Sequence, residues 1–192
     1  MGLPNKLGII KMKSFIYPEM MVHVPLCTNK NPQNVLIISD DAKLLEQEIQ
    51  KHNDINSCVI NSTLDALRDV EDASYDVIIS EMSGDAAALA HMNRALKEDG
   101  QLVMKHPSLE QTDENKSLMQ ILGNYFKVIM PYNIGNGDTA LLASKEYHPT
   151  ADIILHRADM LDDLSYYNCD LHLAAFAMPN YIRKEYLGII KN

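Results

Sequence analysis

This 192-residue chain is short of positive charge: 17 lysines and arginines stand against 26 aspartates and glutamates, a formal net charge of −9. Nucleic-acid binding rests on neutralising phosphates with Lys and Arg, so that function class is disfavoured, whereas an acidic surface draws cations. No apolar run approaches the roughly 20 residues of a membrane span. The start, Met1-Gly2-Leu3-Pro4-Asn5-Lys6, has only a short apolar patch behind it, so neither anchor nor secretory leader is expected. Cysteine is scarce. Cys27, Cys58 and Cys169 are odd in number and far apart, which offers no disulfide framework or zinc motif and suits a reducing cytoplasm. The sequon Asn61-Ser62-Thr63 then reads as chance. Internal repeats, low-complexity stretches and metal-ligand spacings such as HExxH are also missing. What remains is 46% apolar and 22% charged, an ordinary globule with chain enough for one core.

The organising stretch is Asn34-Val35-Leu36-Ile37-Ile38-Ser39-Asp40-Asp41. Its apolar run, three of four residues β-branched, reads as a strand buried on both faces. Ser39, Asp40 and Asp41 each suit a helix cap, and Leu44, Leu45, Glu48 and Ile49 follow at helical spacing. Strand, turn and helix open a doubly wound sheet, whose ligands bind beyond the carboxyl ends of the strands. Further strands are predicted over 57–61, 75–80, 101–104, 125–130 and 139–144, and helices from Ser62, over 85–97, over 112–124, around 170–178 and over 180–190. Gly135-Asn136-Gly137-Asp138 marks a tight connection, so the last two strands are expected to pair antiparallel. A helix should start at Tyr17-Pro18-Glu19 and stop at Pro25; residues 8–16 read as one strand or part of a hairpin. The alternation fits an α/β fold: a Rossmann-like doubly wound sheet of the class I methyltransferase type, mostly parallel with an antiparallel pair at the C-terminal end.

In such a sheet Asp40 and Asp41 after the first strand, and Glu81 and Asp85 after the third, gather at one rim. Any one of them is simply a good helix cap. As a set they repel phosphate and attract an ammonium or sulfonium. His23, His106 and His172 read as satisfied structural histidines, and Met20, Met21, Met104 and Met130 as core filler.

Beyond these patterns, Tyr17-Pro18-Glu19-Met20-Met21-Val22-His23-Val24-Pro25-Leu26-Cys27-Thr28-Asn29-Lys30-Asn31-Pro32 resembles the Y-H-E-M-x-x-H-x-P-L-x-T-H-P-N-P segment of spermidine synthases. Tyr75-Asp76-Val77-Ile78-Ile79, Leu96-Lys97-Glu98-Asp99-Gly100, Ala143-Ser144-Lys145 and Tyr166-Tyr167-Asn168 continue the likeness. The resemblance implies transfer of an aminopropyl group from decarboxylated S-adenosylmethionine to putrescine, without a metal and as a homodimer. Both substrates are cationic, in keeping with the acidic rim. It implies Glu81 and Asp85 as the catalytic acids, Tyr17 and Tyr132 as contacts to the amine, and Asp40, Asp41 and Ser62 as contacts to the nucleoside co-substrate.

The chain also departs from the family pattern. Ser39-Asp40-Asp41-Ala42-Lys43-Leu44 stands where the family has G-G-G-D-G-G, and Glu81-Met82-Ser83-Gly84-Asp85 where it has D-S-x-D-P. Pro131-Tyr132-Asn133-Ile134 takes the place of P-T-Y-P. Residues 1–16 read as a remnant of the family's amino-terminal β-domain and 17–192 as a single Rossmann-like domain. The lost glycines leave open a non-catalytic homologue that acts as a partner subunit or small-cation binder.

Overall fold

The computed structural model describes residues 14–135 and 137–192. The chain opens with helix α1, Ile16–Thr28, and continues through β1 (Asn34–Ile38), α2 (Lys43–Ile49), β2 (Asn56–Ile60) and α3 (Leu64–Arg68). Then come β3 (Tyr75–Ser80), α4 (Ala86–Ala95), β4 (Leu96–His106) and α5 (Thr112–Leu122). The strands β5 (Val128–Gly135) and β6 (Asp138–Ser144) precede α6 (Leu155–Asp159), α7 (Cys169–Ala175) and α8 (Asn180–Glu185).

The six strands form one sheet in the order β2-β1-β3-β4-β6-β5. β1 pairs parallel with β2 and β3, and β3 with β4, while β6 pairs antiparallel with β4 and β5. The expected fold class is therefore the observed one. Alternation along β1 explains its unbroken apolar run. Val35 and Ile37 enter a core with Met20, Met21, Leu45 and Ile49, while Leu36 and Ile38 enter a second core with Leu67, Leu89, Met92 and Leu122. β2 is the edge strand, and Asn56, Ser57, Cys58 and Val59 are exposed. Among the described residues no helix is long and apolar enough to cross a membrane.

Several boundaries differ from expectation. Pro25 does not end the first helix; it lies inside α1, where every residue except Tyr17 is buried. An internal proline costs about 3 kcal/mol, and burial on this scale outweighs it. The end of α1 is held by Arg157, which donates to the carbonyls of Leu26, Asn29 and Lys30, the last at 3.0 Å. α4 stops at Ala95 because Leu96 turns extended and enters β4. The fifth strand runs over Val128–Gly135 rather than 125–130, pulled along by its ladder with β6. α6 had no expectation in the sequence. Residues 1–13 of the expected amino-terminal β segment lie outside the described residues, and its last residue, Ile16, opens α1.

One buried carboxylate ties the tail to α1. Glu19, 1% exposed, accepts the backbone N–H groups of Ser165 (3.0 Å), Tyr166 (2.8 Å) and Tyr167 (2.8 Å). Nearby, Tyr167 donates its hydroxyl to His172 Nδ1 at 2.8 Å, and His172 Nε2 donates to the Pro149 carbonyl at 2.9 Å. Glu19→Ala would leave three amides without their acceptor and is expected to cost about 3 kcal/mol, read as a lower urea midpoint.

Burial holds three histidines neutral: pKa values fall to about 4 at His172 and His106, and to about 3 at His52 through burial and then His23. The unfolded chain protonates these rings below about 6.5, whereas the folded chain resists until much lower pH. Stability contributed by the neutral rings is complete above pH 6.5 and is lost as pH falls toward 4. Urea titrations at pH 7, 5.5 and 4.5 should show a progressive loss; a midpoint constant over that range would refute the assignment.

Candidate active site

The parallel registers align strand ends. Ile38 of β1 stands opposite Ile60 of β2 and Ser80 of β3, and Ser80 opposite Met104 of β4. The residues that follow these ends form the carboxyl rim of the sheet. Ser39 continues the ladder by donating its N–H to Ile60 at 3.1 Å, and Glu81 does so to Ile38 at 2.9 Å.

The rim is stitched by side chains. Ser39 is 2% exposed, and its hydroxyl donates to Glu81 Oε2 while accepting the Asp41 N–H at 3.0 Å. Asp40 Oδ1 accepts the Ser62 N–H at 3.0 Å, which joins the ends of β1 and β2. Ser39 and Asp41 therefore do not cap α2, contrary to expectation: Ala42 occupies the cap position and makes no side-chain bond. Asp85 does cap, accepting the Ala88 N–H at 2.7 Å at the start of α4. Asp40, Asp41, Glu81 and Asp85 are all exposed, so the four acids line one open edge.

Tyr17 approaches that edge from α1. Its hydroxyl is buried, has no hydrogen-bond partner, and faces Glu81; burial first, and the Glu81 carboxylate second, push its pKa well up. Tyr132 stands apart from the rim. It is 1% exposed and donates its hydroxyl to the Met20 carbonyl at 3.2 Å, and burial raises its pKa far above normal. The expected amine contact at this position is thus a core residue behind Tyr17, because β5 continues past Met130 and turns residue 132 inward.

A cleft of about 440 Å³ opens between the ends of β3 and β4, with Glu81, Gly84, Met104, His106, Pro107 and Leu118 in its wall. A larger cleft of about 510 Å³, between the loop before β1 and α6, brings none of the expected site residues together. Two rim features were missed in the sequence. Ser39 looked like a helix cap, and His106 like a satisfied histidine. The signal for both was available, since each follows a predicted strand by one or two positions.

A family model described as spermine/spermidine synthase domain matches residues 14–61, the segment that holds Tyr17, Ser39, Asp40 and Asp41. The polyamine aminopropyltransferase of Helicobacter pylori strain G27 is 28% identical over 218 residues, covering 98% of this chain and 83% of that protein. The polyamine aminopropyltransferase of Clostridium beijerinckii is 29% identical over 237 residues, covering 97% and 83%. In fold, the chain superposes on the spermidine synthase of Thermotoga maritima with a TM-score of 0.78, at 23% identity, over 90% of this chain and 74% of that one. A spermidine synthase in complex with the transition-state analogue AdoDATO gives the same TM-score, at 22% identity and 90% and 75% coverage.

The chain is similar in sequence to polyamine aminopropyltransferases and in fold to spermidine synthases. In this chain the turn after β1 has no glycine, and the Ser39–Asp41 and Ser39–Glu81 hydrogen bonds set its shape instead. Tyr132→Phe removes one buried hydrogen bond and is expected to cost about 1 kcal/mol. Urea unfolding checks that cost; a variant unchanged in stability would contradict the buried placement.

Proposed function

We infer that the chain is an aminopropyltransferase, moving an aminopropyl group from decarboxylated S-adenosylmethionine to an amine, with putrescine as the acceptor. The observation that carries this is Glu81: an exposed carboxylate directly after β3, anchored by Ser39 and faced by the unpartnered Tyr17 hydroxyl. Aminopropyl transfer is an SN2-like displacement. The amine nitrogen lone pair attacks the carbon beside the sulfonium, the carbon–sulfur bond breaks, and its electrons return to sulfur to give neutral methylthioadenosine. Positive charge moves from sulfur to nitrogen. A carboxylate beside the nitrogen stabilises that charge as it develops and takes the proton the amine sheds.

In this reading Glu81 binds the attacking amine and acts as base, and the Ser39 hydroxyl holds it in one orientation. Tyr17 offers its free hydroxyl to the amine. Asp40 and Asp41 draw the cationic end of the co-substrate, and Ser62 lies where the ribose is expected. Asp85 keeps one carboxylate oxygen on the α4 amide and adds negative potential with the other. Much of the remaining rate enhancement is alignment of the two reactants. Homodimer assembly, which rests on the family resemblance, and a cytoplasmic location, which rests on the scarce cysteines, belong to the same proposal.

The glycine-free turn favours a second reading, a non-catalytic relative that binds a partner or a small cation. Glycine permits the close backbone approach that Lys43 and Leu44 obstruct. Calorimetry with methylthioadenosine separates the two: heat of binding is expected, and none at millimolar ligand would remove the enzyme reading. Glu81→Gln is expected to reduce transfer by a factor of about 10² to 10⁴ while circular dichroism stays native, since the side chain is exposed. Full activity in that variant would show that another group is the base.

A further inference from the structure

The rim leaves the far end of an acceptor amine without an obvious holder. One oxygen of Asp85 is committed to α4, and Tyr132 is sealed in the core. The cleft beside Glu81 contains a different kind of acceptor. His106, the last residue of β4, is 4% exposed and forms part of the cleft wall. Its Nδ1 lies 3.4 Å from Thr139 Oγ1. That hydroxyl gives its own proton to the carbonyls of His106 (3.3 Å) and Pro107 (3.0 Å), so its oxygen is free to accept from the ring. The ring proton is therefore assigned to Nδ1. Nε2 is left as a lone pair, buried and without a partner.

Burial keeps this ring neutral at physiological pH. A buried acceptor with no donor is costly unless a ligand supplies one. Between His106 and Glu81 the wall is apolar, from Met82, Met104, Pro107 and Leu118. Lys105, one residue earlier, is exposed and also borders the cleft; strand alternation directs its side chain away from the His106 ring. The cleft wall thus holds a carboxylate and a histidine among hydrocarbon side chains, a composition that suits an alkyl diamine.

We propose that His106 is a specificity-determining residue: its Nε2 accepts an N–H from the far amine of the acceptor while Glu81 holds the attacking one. The proposal rests on the aminopropyl-transfer reading and deepens it. It assigns the preference for a diamine over a monoamine to a hydrogen bond from the distal ammonium to a neutral ring.

The test is steady-state kinetics of the full chain with 1,4-diaminobutane and with n-butylamine, an acceptor of equal length that lacks the second amine. His106→Leu is expected to lower kcat/KM for the diamine at least about tenfold, mainly through KM, and to leave n-butylamine unchanged, so the preference for the diamine collapses. His106→Gln, which restores an acceptor oxygen, should keep most of the preference. A His106→Leu enzyme that still prefers the diamine overturns the proposal, as does an equal fall for both amines, which is the mark of a purely structural role. Should the leucine variant fail to fold, ¹⁵N spectra of the native chain give the answer: added diaminobutane should shift the His106 Nε2 resonance, and an unmoved resonance overturns the proposal. A native chain that binds methylthioadenosine but transfers to neither amine also overturns it. Failure to bind methylthioadenosine instead removes the underlying reading, and the calorimetry distinguishes these outcomes.

Discussion

A carboxylate taken out of water must be met by donors or by positive charge, and this constraint on Glu19 organises one side of the molecule. Three consecutive backbone amides meet it, all from residues 165–167 and all more than 140 residues away in the chain. The tail is thereby laid across α1, and Tyr167 is brought against the His23 ring at 5.2 Å and within hydrogen-bonding reach of His172. With that side closed, α1 is fixed in rotation. Tyr17, two residues before Glu19 and the one residue of α1 that is not buried, then faces the rim, where Glu81 stands. A structural contact and the presentation of the candidate site are thus two consequences of one buried charge.

The rim itself solves a separate problem. Strand ends in a parallel sheet leave backbone groups that loops must satisfy. In this chain polar side chains do so: Ser39 on the Asp41 amide and the Glu81 carboxylate, Asp40 on the Ser62 amide, Asp85 on the Ala88 amide. Hydrogen-bonded side chains hold a tight turn in place of glycine's conformational freedom. They also concentrate negative charge at the edge where α/β sheets take their ligands. The same residues therefore serve the turn and set the sign of the ligand.

Much of the sheet was legible because β1 and β3 are short, apolar and punctuated by polar residues, a pattern that burial on both faces imposes locally. The antiparallel pair was legible from its glycine-rich connection, and the rim acids from their places just after strands. Pro25 misled because local propensity gives way when a whole helix is buried. The length of β5 misled because its register is set by β6, and Tyr132 went inward with it. The bond of Ser39 to Glu81 joins residues 42 apart in sequence and has no local signature.

What the sequence by itself determined was the order of strands and helices, the acid-rich edge and the likeness to spermidine synthases, since each is written in residues close along the chain. Tertiary structure alone decided which polar groups are paired and which are not. It spent Glu19 on the tail and Tyr132 on the core, and it left the Tyr17 hydroxyl and His106 Nε2 buried without partners. Pairing depends on distances between residues remote in sequence, and those exist only once both cores have closed.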